Sequence, residues 1–414
     1  MPQSVFTHQF DNGLVLLAES MDWLQSAAFN VMIPGGAARD PADRAGLSNF
    51  VCEMSQRGCG QRDSRQFVED LENLGAGHGP SVSSISTSFS AAMPADNLYD
   101  VLTIFADVLR RPLLPADQLD DGRLACLQEI QSIEDDLSQR VMSELRRRQY
   151  ADPFGRDSHG TMEAVSQITL DEIRTQFVRT YRPDETIVSV AGNVDWPRLK
   201  DLVGELLGDW PRVELPELKT TPAPRGYHHI EHESQQTHIC IAFPTVPYSH
   251  ADYFQARGAV GVMSDGMSSR LFTEVREKRS LCYAVFASMH SLKQEASVFA
   301  YAGTSTDRAQ ETLDVTIAEF DRLARGIEED ELARLKALIR SSLIIEQESS
   351  RSRAASIAGD WYHLGRIRPL DELNDIINGL TVESINAYLA AHPFSDPCVV
   401  TLGEKELEVP RGVS

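Results

Sequence analysis

The pattern His228-His-Ile-Glu-His232 sets two imidazoles four residues apart with a carboxylate between them. On a helix that spacing puts both rings on one face, where they ligate zinc while the glutamate takes a proton from the bound water. The neighbouring residues argue against it. Pro222, Pro224 and Gly226 stand just upstream and Glu233-Ser-Gln-Gln236 just downstream, which leaves little room for a helix. A strand is expected instead, and on a strand residues four apart lie roughly 13 Å from each other. His228, Glu231 and His232 are therefore read as surface residues of a domain-opening strand. Cys52, Cys59, Cys126, Cys240, Cys282 and Cys398 are scattered and form no C-x-x-C pair, so they read as buried thiols rather than a disulfide framework or a zinc knuckle. No activating base for a nucleophilic Cys52 is visible, and neither G-x-G-x-x-G nor a P-loop occurs.

The elements that must position such residues come in two copies. Thr169-Leu-Asp-Glu-Ile followed by Thr186-Ile-Val-Ser-Val-Ala-Gly recurs as Thr381-Val-Glu-Ser-Ile followed by Cys398-Val-Val-Thr-Leu-Gly, about 212 residues on. Ala116-Asp-Gln-Leu119 recurs as Glu329-Asp-Glu-Leu332, and Gly46-Leu-Ser-Asn49 as Gly266-Met-Ser-Ser269. One fold was duplicated. Prolines in 215–226 mark a connector, so the domains are expected at 1–214 and 227–414. In the first copy 13–19 and 27–33 read as strands, and 82–93 alternates as further strands. Leu47, Phe50, Val51 and Met54 repeat with helical period, as do Leu98, Val101, Leu102, Phe105 and Leu109. Strands and helices without strict β-α alternation point to α+β.

The 414 residues are 42% hydrophobic and 24% charged, with 39 Lys plus Arg against 61 Asp plus Glu, a net charge of −22. That field repels nucleic acid and anionic lipid. The first twenty residues have no signal-peptide pattern and no run approaches a membrane span, so a cytoplasmic chain is expected, with no membrane and no nucleic acid partner.

Gly46-Leu-Ser-Asn-Phe-Val-Cys-Glu-Met54, after the Gly35-Gly36 turn and before Arg57-Gly58, resembles the motif helix of the pitrilysin or insulinase family of zinc peptidases, which includes the mitochondrial processing peptidase. There the helix carries H-x-x-E-H, and a distal glutamate completes the zinc set. Laid on this chain, the first histidine falls on Asn49, the base on Cys52 and the second histidine on Glu53; the distal ligand, 76 positions on, is Glu129. An acidic residue often found seven before that ligand is Gly122 here. Three of four motif positions are wrong for zinc, so the resemblance implies a degenerate site without metal; Asn49, Glu53 and Glu129 could in principle offer only oxygens to Mg²⁺ or Ca²⁺.

The stretch Gly266–Val285 is similar to the family's most recognisable C-terminal segment, in which an Arg and a Tyr seven apart reach toward the active site. Arg276 and Tyr283 have that spacing. The resemblance implies that they bind the substrate backbone and stabilise the oxyanion. It further implies two tandem homologous α+β domains, each a mainly antiparallel sheet packed with helices and together half of a peptidase clamshell. Some bacterial members work as two chains, one bearing the zinc motif and the other the Arg/Tyr pair. The expectation is thus a non-catalytic subunit that binds no cofactor itself, pairs with a zinc-bearing homologous partner and handles unfolded peptides. A peptidase active alone through an unusual metal site, and a structural or peptide-binding protein that has left peptidase work, are the alternatives.

Overall fold

The computed structural model describes residues 4–409. Among them six strands form one sheet: β1 (Ser4–Gln9), β2 (Val15–Ser20), β3 (Ser26–Ile33), β4 (Gly77–Val82), β5 (Thr87–Pro94) and β6 (Ile187–Gly192), in the order β1-β2-β6-β3-β5-β4. Five more form a second: β7 (Tyr227–Glu231), β8 (Gln236–Thr245), β9 (Cys282–Ser291), β10 (Ala296–Ser305) and β11 (Cys398–Gly403), in the order β7-β11-β8-β10-β9. Without β1 the two orders coincide strand for strand. Each sheet has one parallel pair, β2 with β6 and β7 with β11, and is otherwise antiparallel. The fold is α+β with two tandem homologous halves. The strands β6 and β11 that carry the sequence repeat are buried at every position, as largely apolar runs in central strands should be, each with one buried hydroxyl, Ser189 and Thr401.

The repeats also share their local chemistry. Thr169 and Thr381 each accept from the backbone N–H three residues on, capping the helices Leu170–Thr180 and Val382–Ala391. Gly46 and Gly266 both have left-handed backbone, φ +92° and +83°, so each turn uses the conformation that glycine adopts at least cost.

The chain divides into two compact units that do not follow the 1–214 and 227–414 split. The first comprises residues through Ser132, Asp152–Thr221 and Ile345–Ile367; the second comprises Ile133–Ala151, Pro222–Ile344 and the chain from Arg368 onward. Each unit therefore holds one helix from the other half of the sequence. In the first unit, side-chain alternation sends Leu16, Ala27, Phe29, Val31 and Val190 into the main core with the helices Leu47–Ser55, Leu98–Arg110 and Leu170–Thr180. Val15, Leu17, Ala28 and Ile187 face the other way and meet Ala354, Ile357 and Ala358 of the helix Ser350–Leu364. Small residues let that helix lie close, and Ser189 Oγ donates to the Ala354 carbonyl at 2.7 Å.

The second unit repeats this plan. Ile239, Ile241, Phe243, Val298 and Ala300 join the helices Tyr253–Ser264, Ala309–Leu323 and Val382–Ala391 in its core. The opposite face packs on the helix Leu137–Gln149, whose Gln149 donates to Ser297 Oγ at 2.9 Å. The following Tyr150 packs edge-on against Phe299, ring centroids 5.8 Å apart.

Candidate functional site

In the first unit the helix Leu47–Ser55 starts from Gly46. A Cβ there would stand 2.4 Å from the His159 carbonyl oxygen, so only glycine fits. Asp40 closes the helix start, accepting from Gly46 N (3.0 Å), Ser48 N (2.9 Å) and Ser48 Oγ (2.6 Å). Burial pushes the Asp40 carboxyl up to about 7, against those three bonds, which favour the charged form.

The helix Leu119–Asp135 lies alongside. At Gly122 a Cβ would come within 2.6 Å of Met54 Sδ and 3.2 Å of both Arg57 Nε and Phe50 Cε2, so the missing side chain lets these residues pack closely over this helix. Arg57 then donates through Nε and Nη2 to Glu53 Oε1, at 3.0 and 2.7 Å. Asn49 Nδ2 donates to Glu129 Oε2 at 2.9 Å and lies 4.0 Å from Cys126 Sγ. Cys52 is 2% exposed, and burial, followed by the nearby Glu53, drives its thiol far up; burial and Glu129 push Cys126 up to about 12.

Asn49, Cys52, Glu53 and Glu129 thus do come together, but as donors and acceptors already matched to one another. Zinc asks for about four convergent lone pairs from His, Cys thiolate or carboxylate. Asn49 presents an N–H to the one ligand-type carboxylate, Glu53 is held by a guanidinium, and Cys52 is a protonated thiol unable to act as a base. These residues do not fit zinc. Arg57, which closes half of this arrangement, carried no signal in the sequence beyond lying four residues after Glu53.

The segment His228–His232 is strand, as expected. Tyr227–Glu231 is β7, parallel to β11. His229 Nδ1 is 2.9 Å from Thr401 Oγ1, and His228 Nε2 is 3.7 Å from Glu144, a carboxylate already bound by Arg147 and Arg148. Among the described residues no group of three or more His, Cys, Asp or Glu is arranged to hold a metal ion.

The second unit brings Arg276 and Tyr283 together. Arg270, buried, anchors the start of the segment by donating through Nε and Nη2 to the Glu331 carboxylate, both at 2.7 Å. A π-helical turn follows at Phe272–Glu277, a rare widening that recurs at functional sites. Ser280, with φ +50°, then reverses the chain: its N–H reaches the Arg276 carbonyl at 3.1 Å, and that of Leu281 the Val275 carbonyl at 3.0 Å. The strand β9 begins at Cys282 and delivers Tyr283, 85% exposed. The Arg276 guanidinium carbon lies 5.1 Å from the centre of the Tyr283 ring and 4.7 Å from that of Phe272. Phe272 was not singled out from sequence, although its place four residues before Arg276 on a helical turn carried the signal.

Both halves match described families. "Insulinase (Peptidase family M16)" covers residues 15–161, and "Peptidase M16 inactive domain" covers 167–339. The chain belongs to the insulinase family of peptidases. Among curated relatives, an uncharacterized zinc protease of Bacillus subtilis is 26% identical over 400 residues, covering 94% of this chain and 96% of that one. Another from Rickettsia felis is 24% identical over 388 residues, 93% and 94% of the two chains. Among solved structures, a peptidase M16 inactive domain from Pseudomonas fluorescens superposes with a TM-score of 0.87 at 20% identity, over 98% of this chain and 99% of that one. A chain of complex III from Candida albicans gives 0.83 at 16% identity, over 97% and 96%.

Proposed function

We propose that this chain is the non-catalytic subunit of a two-chain zinc metallopeptidase of the insulinase type. The carrying observation is the contrast between its two centres: the motif positions are already matched to one another and to Arg57 by hydrogen bonds, whereas Arg276 and Tyr283 meet at an exposed strand start with no ion pair to Arg276 among the described residues. In this reading the chain binds no metal, and a homologous partner supplies the zinc and with it the activated water. Arg276 donates from its guanidinium edge, and Tyr283 from its phenol, to the backbone carbonyl of an unfolded peptide and then to the oxyanion that the carbonyl becomes. Donors aimed at charge that develops only in the transition state raise kcat more than they tighten binding. The net charge of −22 favours basic peptides over nucleic acid, and the expected setting is the cytoplasm.

The test is reconstitution. The purified chain is mixed with the zinc-motif homologue of the same cell and assayed on an unstructured, quenched-fluorescent peptide. Cleavage that needs both chains, and that falls at least roughly a hundredfold with Arg276→Ala or Tyr283→Phe, is expected from the loss of an oxyanion donor. Cleavage by this chain alone, or activity indifferent to both substitutions, overturns the reading; the second result would favour a structural or peptide-binding role.

A further inference from the structure

Arg276 stands out by what it lacks. In a chain with 61 acidic residues it has no carboxylate partner among the described residues. Glu274, two positions away, is taken by Lys278 at 2.7 Å, by Arg279 at 2.7 Å and by Arg322 at 3.6 Å. Glu274 is thus neutralised by three other cations, and the adjacent Glu277 is exposed and makes no ion pair with Arg276 among the described residues. Aromatic faces hold Arg276 instead, at 4.7 Å for Phe272 and 5.1 Å for Tyr283.

That mode of holding has a chemical consequence. A guanidinium stacked on a ring spends its planar face and keeps its in-plane N–H groups free, whereas a guanidinium fixed by a carboxylate spends two of those donors. Of the two rings, Tyr283 is mostly exposed and is itself a donor to substrate in the reading above, so it cannot serve as a fixed wall. Phe272 can. It sits on the same π-helical turn as Arg276, one helical step back, with no polar group of its own.

We propose that Phe272 is a positioning residue for oxyanion stabilisation: its ring pins the Arg276 guanidinium by the face, so that the donor edge is aimed and unspent when a peptide carbonyl becomes an oxyanion. The proposal rests on reading Arg276 as an oxyanion donor. Phe272 touches no reacting atom; it acts through Arg276.

Two measurements separate the proposal from the reading beneath it. In the full chain labelled with ¹⁵N-arginine, the Arg276 Hε resonance, identified by its disappearance in Arg276→Lys, is expected upfield of exposed arginines through ring currents. It should move toward them in Phe272→Leu and stay in Phe272→Tyr. In the two-chain enzyme, Phe272→Leu is expected to lower kcat roughly three- to tenfold, the span of a partly desolvated cation–π contact, with KM little changed, and Phe272→Tyr to restore it. An Arg276 resonance already among the exposed arginines in the unsubstituted chain overturns the clamp. Normal kcat in Phe272→Leu, with Arg276→Ala inactive, overturns the positioning role and leaves the function standing; a silent Arg276→Ala removes both.

Discussion

Asn49 donates its side-chain amide to Glu129 at 2.9 Å, joining the two helices on which an insulinase-type peptidase carries its metal ligands. The bond uses the carboxylate that would otherwise face a cation, and Arg57 uses the other, Glu53. Restoring one histidine should therefore not restore a site. Asn49→His alone is expected to hold less than about a tenth of an equivalent of zinc after dialysis, whereas Asn49→His/Cys52→Glu/Glu53→His, which rebuilds two imidazoles beside Glu129, should approach one. Elemental analysis reads both. Near-stoichiometric zinc in the unsubstituted chain would contradict the account of these four residues.

The guanidinium of Arg353, 1% exposed, donates to Glu19 through Nε at 2.9 Å and Nη2 at 2.8 Å, and to Glu346 through Nη1 at 2.7 Å. It fastens the helix 350–364 to strand β2 across 334 positions of sequence. Glu19→Ala leaves a buried cation short of its main partner, and a loss of about 3–5 kcal/mol is expected on chemical denaturation. Replacing both residues with apolar ones, as in Glu19→Leu/Arg353→Met, should recover most of that loss. If the double variant is no better than Glu19→Ala, the penalty is not that of an unpaired charge.

Ser280 holds a left-handed backbone that costs a side-chain-bearing residue about 1 kcal/mol or more. Ser280→Gly removes that cost and adds some chain entropy to the unfolded state, so thermal stability should be equal or higher by roughly 0.5 kcal/mol. Ser280→Val should lower it by about 1–2 kcal/mol, because a β-branched residue tolerates this region worst. The order Gly, Ser, Val in melting temperature is the outcome to check, and inverting it would refute the strain.

His290 is stacked on Phe299 and bonded through Nδ1 to the Tyr150 hydroxyl at 2.9 Å, where burial, helped by the Arg146 charge, depresses its pKa to about 4. The folded state refuses a proton that the unfolded chain accepts near 6.5, so between pH 4 and 6.5 the unfolded state binds more protons. Stability in this unit is present above that window and is lost as pH falls through it. His290→Gln should flatten the slope of unfolding free energy across pH 4–6.5. An unchanged slope would assign the acid sensitivity to other groups.

Much of this architecture was legible in the sequence because it depends on local periodicity. The alternation in 87–94 and the i, i+3, i+4, i+7 stripe of 47–54 each specify an element from its own residues, and the duplication predicted two like halves. Thr169 and Thr381 opened the repeated blocks, and each caps its helix by a bond three residues long. The altered motif was equally visible, since residue type alone tells an amide and a thiol from imidazole and carboxylate. The spacing of Arg276 and Tyr283 was visible too, though not that a strained Ser280 and a π-helical turn bring guanidinium and ring within 5.1 Å.

Which residues answer one another over long separations is set by the packing of distant elements. Ser350–Leu364, with its Ser and Arg start, is laid on a sheet from the other half of the chain, its Arg353 buried against Glu19. Leu137–Gln149, rich in Arg, is likewise spent on the second sheet. Local pattern states which face of an element is apolar. Which sheet covers that face, and whether a buried charge there has a partner, is settled by the closure of contacts hundreds of residues apart, where the energy of burying a charge depends wholly on what arrives to meet it.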